Sequence, residues 1–309
     1  MSFMLLGILN SQAAGAFAAA GYVAGGTSNA GYTTTVDKFA FSDDSRTTLG
    51  TGLSSGREYA TGMSNPAVAG YVAGGTTGSR IATVNKFAFP DDARSTLGTG
   101  LSSAREGVAG MSNSGTAGYV AGGIAGSRVD TVDKFAFPGD SRSILGTGLS
   151  AAKQNAAGFS DSGTAGYVAG GTTTGGYNST VDKFAFATDS RSSLGVGLSV
   201  ARSFSGGMSN PDVAGYVAGG TSGVNTTTVD KFVFPSDARS TLGTGISAAT
   251  TNLSGMSDSG VSGYITGGYT NTIVDTVDKF AFPGDSRSTL AAGLSAGRYG
   301  CAGFENKVV

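Results

Sequence analysis

The hexapeptide GYVAGG begins at Gly21, Gly70, Gly118, Gly166 and Gly215 and returns as GYITGG at Gly263, at intervals of 49, 48, 48, 49 and 48 residues. Each copy is followed by a second shared segment, as in TVNKFAF at 83–89. A unit of this length cannot bury an apolar face alone, so a period near 50 residues points to a propeller or a similar array in which neighbours cover one another. Length by itself would suggest about two domains, but repeats that share one closed ring form a single domain. Residues 17–309 are therefore read as one all-β domain and residues 1–16 as a segment outside it.

Every repeat divides into four short segments separated by turn residues, the spacing of an antiparallel four-stranded blade. In the third repeat they cover 109–113 (AGMSN), 117–123 (AGYVAGG), 131–137 (TVDKFAF) and 142–149 (RSILGTGL). The sequence SNSG at 112–115 suits a tight first hairpin, and PGDS at 138–141 a turn between the third and fourth strands. Glycine interrupts every window that could form a long amphipathic helix. In the third strand, alternation places Asp133, Phe135 and Phe137 on one face and Val132, Lys134 and Ala136 on the other, so large Phe is expected to meet small Ala between blades. Each buried Phe contributes about 1.5–3 kcal/mol, and core packing accounts for these aromatics better than a binding site does.

A strand count predicts how the ring closes. Segments two to four occur from Gly21 onward, but the first-strand motif appears only at Gly62, Gly110, Gly158, Gly207, Gly255 and Gly303. The last copy, at 301–306, has no second strand to follow it. It is expected to return to the first blade, giving a six-bladed propeller whose terminal edges are paired.

The composition narrows the chemistry. There are 20 basic and 21 acidic residues with no block of either sign, so no basic face exists to bind nucleic acid. Histidine is absent and Cys301 is the only cysteine, which removes imidazole catalysis, Ser-His-Asp chemistry, cysteine-cluster metal sites and an intramolecular disulfide. No cofactor, metal or catalytic residue is expected. The glutamates at 58, 106 and 305 stand beside no singular glycosidase motif. GYVAGG lacks the Lys-Ser/Thr and the helix of a phosphate loop, and its glycines are read as allowing close approach of strands and blades. The repeated Asp-x-Arg turns, such as Asp140 to Arg142, could form an arginine ring for an anion. The preferred reading is that each Asp and Arg pair across their own turn.

GYVAGG, then TVDKF, then a basic residue after the fourth strand (Arg57, Arg105, Lys153, Arg202, Arg298) resembles the Kelch repeat over about 290 residues, although the Kelch tryptophan is missing and Thr250 replaces one basic residue. The near-identical units are also similar to Kelch-like repeat proteins of tailed bacteriophages, particularly marine and cyanobacterial ones, as is the opening MSFMLLGILNSQAAGA. That resemblance implies a virion structural or adhesion protein, in a tail, a fibre or a capsid decoration. A cellular Kelch-type interaction module and a multivalent lectin stay open as alternatives.

Residues that break the repeat carry the remaining information. The connections between second and third strands (28–34, 77–82, 125–130, 173–179, 222–227 and 269–275) and those between fourth and first strands differ most, and in an up-and-down blade both emerge on one rim. Tyr32, Tyr59, Arg80, Arg128, Tyr177 and Tyr269 are the candidate contacts there for a glycan or a protein, because Tyr and Arg dominate binding hot spots. The run FMLLGIL at 3–9 lacks a basic flank and is too short to span a membrane. Phe3, Met4, Leu5, Leu6, Ile8 and Leu9 are read as an anchor that docks onto another copy or another virion protein, without membrane insertion.

Overall fold

A computed structural model describes residues 18–307. Phe3, Leu5, Leu6, Ile8 and Leu9 of the expected anchor lie outside them. The described residues contain no helix and form six four-stranded antiparallel sheets. In the third blade the strands, from the axis outward, are Ala109–Asn113, Ala117–Ala121, Val132–Ala136 and Ser141–Ile144. The first blade takes its inner strand from the far end of the chain. Ala302–Asn306 pairs with Ala20–Ala24, from Ala20 opposite Asn306 to Ala24 opposite Ala302, which is the closure expected from the strand count.

Each sheet face packs on a neighbouring blade, so the core consists of the seams between blades. Tyr119 and Val132 meet Phe184 and Phe186 of the fourth blade, while Val120 and Phe135 meet Tyr71 and Met63 of the second. The second Phe of each third strand stacks on the tyrosine of the preceding blade, as Phe137 does on Tyr71 with ring centroids 5.0 Å apart. The stack carries on around the ring to Phe41 on Tyr264 at 5.3 Å. Both faces therefore carry large side chains, which corrects the expected contrast of Phe with Ala. The small residue is Gly118, paired with Phe135 in the sheet, where a Cβ would run into Met63 of the preceding blade.

The Asp-x-Arg turns work differently from their reading in the sequence. Asp140 has φ 56°, a left-handed turn conformation that its short polar side chain tolerates, and its carboxylate reaches the neighbouring blade. There it accepts hydrogen bonds from Tyr71 Oη at 2.7 Å and Lys86 Nζ at 2.6 Å, with the ammonium 5.5 Å from the Tyr71 ring centroid. The same clamp joins the sixth blade to the first through Tyr264, Lys279 and Asp44. Arg142 turns instead to Asp133 of its own third strand, 3.6 Å away, because the register sets it opposite Phe135 on the face that Asp133 shares. The arginines are thus engaged within their blades, and no turn pairs its own Asp and Arg.

A second tie sits deeper. At four of the six seams the basic residue that follows the fourth strand enters the next blade and meets the carboxylate of its third strand: Arg105 with Asp133 at 3.1 Å, Lys153 with Asp182 at 3.0 Å, Arg202 with Asp230 at 2.9 Å, and Arg298 with Asp37 at 2.9 Å. Burial would push the carboxyl of Asp230 up, but Arg202 together with the Ser199 amide and hydroxyl holds it below the usual carboxylate range. The double glycine packs directly above. Gly122 and Gly123 have φ 65° and 97°, and the Gly123 amide donates to the Lys153 carbonyl at 2.8 Å, where a side chain would collide with the incoming connection.

Candidate functional site

The variable connections share one face, as the strand order requires. Residues of the fourth-to-first connections pair with the opening residues of the second-to-third loops, for example Glu58 with Thr76, Glu106 with Ile124 and Thr251 with Tyr269. Neighbouring loops are tied to one another. Arg80 Nε donates to Glu106 Oε1 at 3.1 Å and its Nη1 to the Ala125 carbonyl at 3.2 Å, while Asn225 Nδ2 donates to the Tyr269 carbonyl at 3.2 Å. The loops thus form a linked crown.

Backbone bonds close this face at the axis. The Tyr59 amide donates to Gly300, Gly107 to Tyr59, Asn155 to Gly107, Phe204 to Asn155 and Gly300 to Asn252, at 2.7–3.0 Å. All of these residues have positive φ, which turns each chain sharply from the crown into its inner strand. Tyr59 and Phe204 lie over the centre with ring centroids 5.9 Å apart and leave a hollow of only about 60 Å³.

Three of the expected contact residues come together with a fourth aromatic. Tyr299 lies 6.3 Å from Tyr59 and 6.3 Å from Tyr269 between ring centroids, and Tyr32 stands on the adjoining hairpin Thr27–Ser28 with Gly31–Tyr32. Tyr32 and Tyr269 are exposed at 44% and 41%, so the cluster presents ring faces and hydroxyls to solvent. Beneath it, Glu58 is buried, and its carboxyl is pushed up by desolvation. Desolvation also raises the phenol of Tyr59, helped by the nearby carboxyl of Glu58. The other candidates stand apart. Tyr177 is exposed on the corresponding hairpin of the fourth blade, Arg80 is committed to Glu106, and Arg128 bridges Ile124 in the third-blade loop.

Tyr299 lies in the last of the variable fourth-to-first connections, and only the ring closure brings it between Tyr269 and Tyr59. Phe204 carried no signal beyond standing where other repeats have Gly, Asn or Tyr. Among the described residues no group of three or more acidic or cysteine side chains is placed to hold a metal ion. Cys301 is buried, and burial pushes its thiol up while its sulfur hydrogen-bonds the Gly25 carbonyl at 3.4 Å. No protein-family model matches the chain, and no curated protein matches it significantly. The closed six-bladed ring has the architecture of an interaction module.

Proposed function

We propose that the ring is a non-enzymatic binding and structural component of a tailed-phage virion, presenting its variable face to a host surface or to an adjoining virion protein. The observation that carries this reading is the separation of roles between the two faces. All the variable connections lie on one face, whereas the second strand starting at Ala20 and the inner strand ending at Asn306 both have those ends on the other. A protein held by the face where its chain enters and leaves would display the tyrosine cluster outward. The setting in a virion rests on the resemblance of the repeats and of the apolar opening segment to phage Kelch-like proteins. The apolar residues at 3–9 would supply the attachment to a neighbouring copy or virion protein.

Mass spectrometry of purified particles tests the setting, since recovery of the protein only from host cytosol would favour a cellular interaction module. Adhesion of particles or of the isolated protein to host cells tests the face. Tyr269→Ala and Tyr32→Ala should weaken adhesion at least about tenfold with an unchanged melting temperature, as expected for hot-spot aromatics. Equal loss from Arg142→Ala on the opposite rim would overturn the assignment.

A further inference from the structure

The face opposite the crown holds a funnel of about 630 Å³ on the propeller axis. That volume falls within the range of about 300–1,000 Å³ typical of small-molecule sites. Its narrow end is the ring of inner-strand glycines. A Cβ on Gly62, Gly110, Gly158, Gly207, Gly255 or Gly303 would overlap the carbonyl of the neighbouring glycine, so the six strands are packed as tightly as backbone allows. The funnel is consequently a narrow-waisted cup rather than an open pore, and Met111, Phe159 and Met256 behind its wall are buried in the seams between blades.

Two residues beyond each glycine runs a second ring, made of Ser64, Ser112, Ser160, Ser209, Ser257 and Glu305. The Ser64 amide donates to Ser112 Oγ at 2.9 Å, Ser112 to Ser160 at 2.9 Å, Ser160 to Ser209 at 2.9 Å, Ser209 to Ser257 at 2.8 Å, and Glu305 to Ser64 at 3.0 Å. Each hydroxyl oxygen is used as an acceptor, and the hydroxyl hydrogens of Ser112, Ser160, Ser209 and Ser257 donate to no protein group. The ring therefore offers several donors around one axis. Glu305, which breaks the serine series, adds a carboxyl in the same layer. Burial pushes that carboxyl up to about 7, against the pull of the Ser64 hydroxyl, the Ser257 amide and Lys307, so near neutrality it both donates and accepts. Lys307 is itself held by Asp258 at 3.5 Å, and Asp212 stands on the rim, so neither sign of charge dominates the cup.

We propose that this funnel is a binding site for a neutral saccharide of one or two rings, seated on the axis with its hydroxyls on the serine ring and the Glu305 carboxyl. Such a ligand supplies acceptors for the unspent serine hydrogens and donors for the carboxyl. An anion would meet Glu305 and Asp212. A polymer has no way through the glycine waist. The site is independent of the crown on the other face.

The test is saturation-transfer NMR followed by calorimetry on the full chain, with glucose, galactose, mannose, their N-acetylated amines, maltose and lactose as probes. At least one should bind with a millimolar or tighter dissociation constant. Ser162→Trp, a turn substitution that fills the cup without touching the serine ring, should abolish binding, and Glu305→Gln should weaken it at least about tenfold. Tyr269→Ala, on the opposite face, should leave it unchanged. Silence from every probe, binding that persists in a folded Ser162→Trp protein, unchanged affinity in Glu305→Gln, or loss in Tyr269→Ala would each overturn the proposal.

Discussion

The second and fifth blades follow one plan and differ at the buried tie. In the fifth, Arg202 and Asp230 face each other at 2.9 Å with both side chains fully buried, and Arg202 adds bonds to the Gly219 and Val217 carbonyls at 2.9 and 3.0 Å. In the second, Asn85 replaces the aspartate, so Arg57 has an amide oxygen at 2.6 Å where its equivalents have a carboxylate. Burial and the nearby Arg94 push the Arg57 guanidinium down to about 10, and two of its nitrogens are buried without a partner. The sixth blade shows the converse defect. Asp278 keeps the Ser247 amide and hydroxyl and the Thr289 hydroxyl at 2.7–2.8 Å, but Thr250 stands where the buried cation belongs. A repeat fold thus tolerates a missing charge provided that hydrogen bonds to the survivor are retained, and it does so in blades whose aromatic seams are intact.

The comparison predicts unequal costs for one substitution. Asp230→Ala strands Arg202 in the seam and should destabilise the ring by about 3–5 kcal/mol in chemical denaturation. Asp278→Ala strands no buried cation and should cost clearly less. Equal losses would show that the ion pair contributes nothing beyond the serine and threonine bonds.

The inner ring offers a second contrast, one glutamate among serines. The folded pKa of Glu305 lies near 7, above the ordinary carboxylate value of about 4.3, so the folded state holds a proton that the unfolded chain releases. Its contribution is complete below that ordinary value and is lost as the pH rises through 7. Relative to Glu305→Ser, which installs the residue of the other blades, the native protein should lose about 2 kcal/mol between pH 5 and pH 8, after allowance for the solvent on its funnel side. Parallel pH profiles of melting temperature would break this assignment.

Repairing the second blade should have a somewhat smaller effect. Asn85→Asp gives Arg57 its carboxylate in place of the amide oxygen and should raise stability by about 0.5–1.5 kcal/mol, the usual net worth of an intramolecular hydrogen bond. A lowered melting temperature would mean that this seam has adapted to the neutral amide. The smallest change is expected at the rim, where Arg191 lies 3.8 Å from Asp182 and is partly exposed. Arg191→Ala should cost about 0.2–1 kcal/mol in calorimetry, and a loss equal to that of Asp230→Ala would erase the distinction between the outer and buried pairs.

Much of this was legible in the chain because it depends on counting and alternation. The repeat interval sets the number of blades, the turn residues set four strands, and the leftover first-strand motif at 301–306 requires a partner at 20–24. The common face of the variable connections follows from the same strand order. Misreadings arose wherever a side chain had a choice of partner. Asp140 and Arg142 are two residues apart and look like a local pair, yet Asp140 bonds to Tyr71, 69 positions away. The small residue opposite Phe135 was sought in its own strand and is found in Gly118 of the adjacent one.

The sequence by itself determined the all-β class, the six blades, the closing strand and the gathering of the most variable connections on one face, since each follows from the order of short strands along the chain. Only the tertiary structure decided which groups meet across the seams and at the axis. Ser64 and Ser112 lie 48 residues apart and become hydrogen-bonded neighbours when the blades are set around one centre, and Tyr269, Tyr299 and Tyr59 converge when the last blade meets the first. The physical reason is that a closed ring brings equivalent positions of every unit within bonding distance at small radius, and no local pattern in one unit records what its neighbours place there.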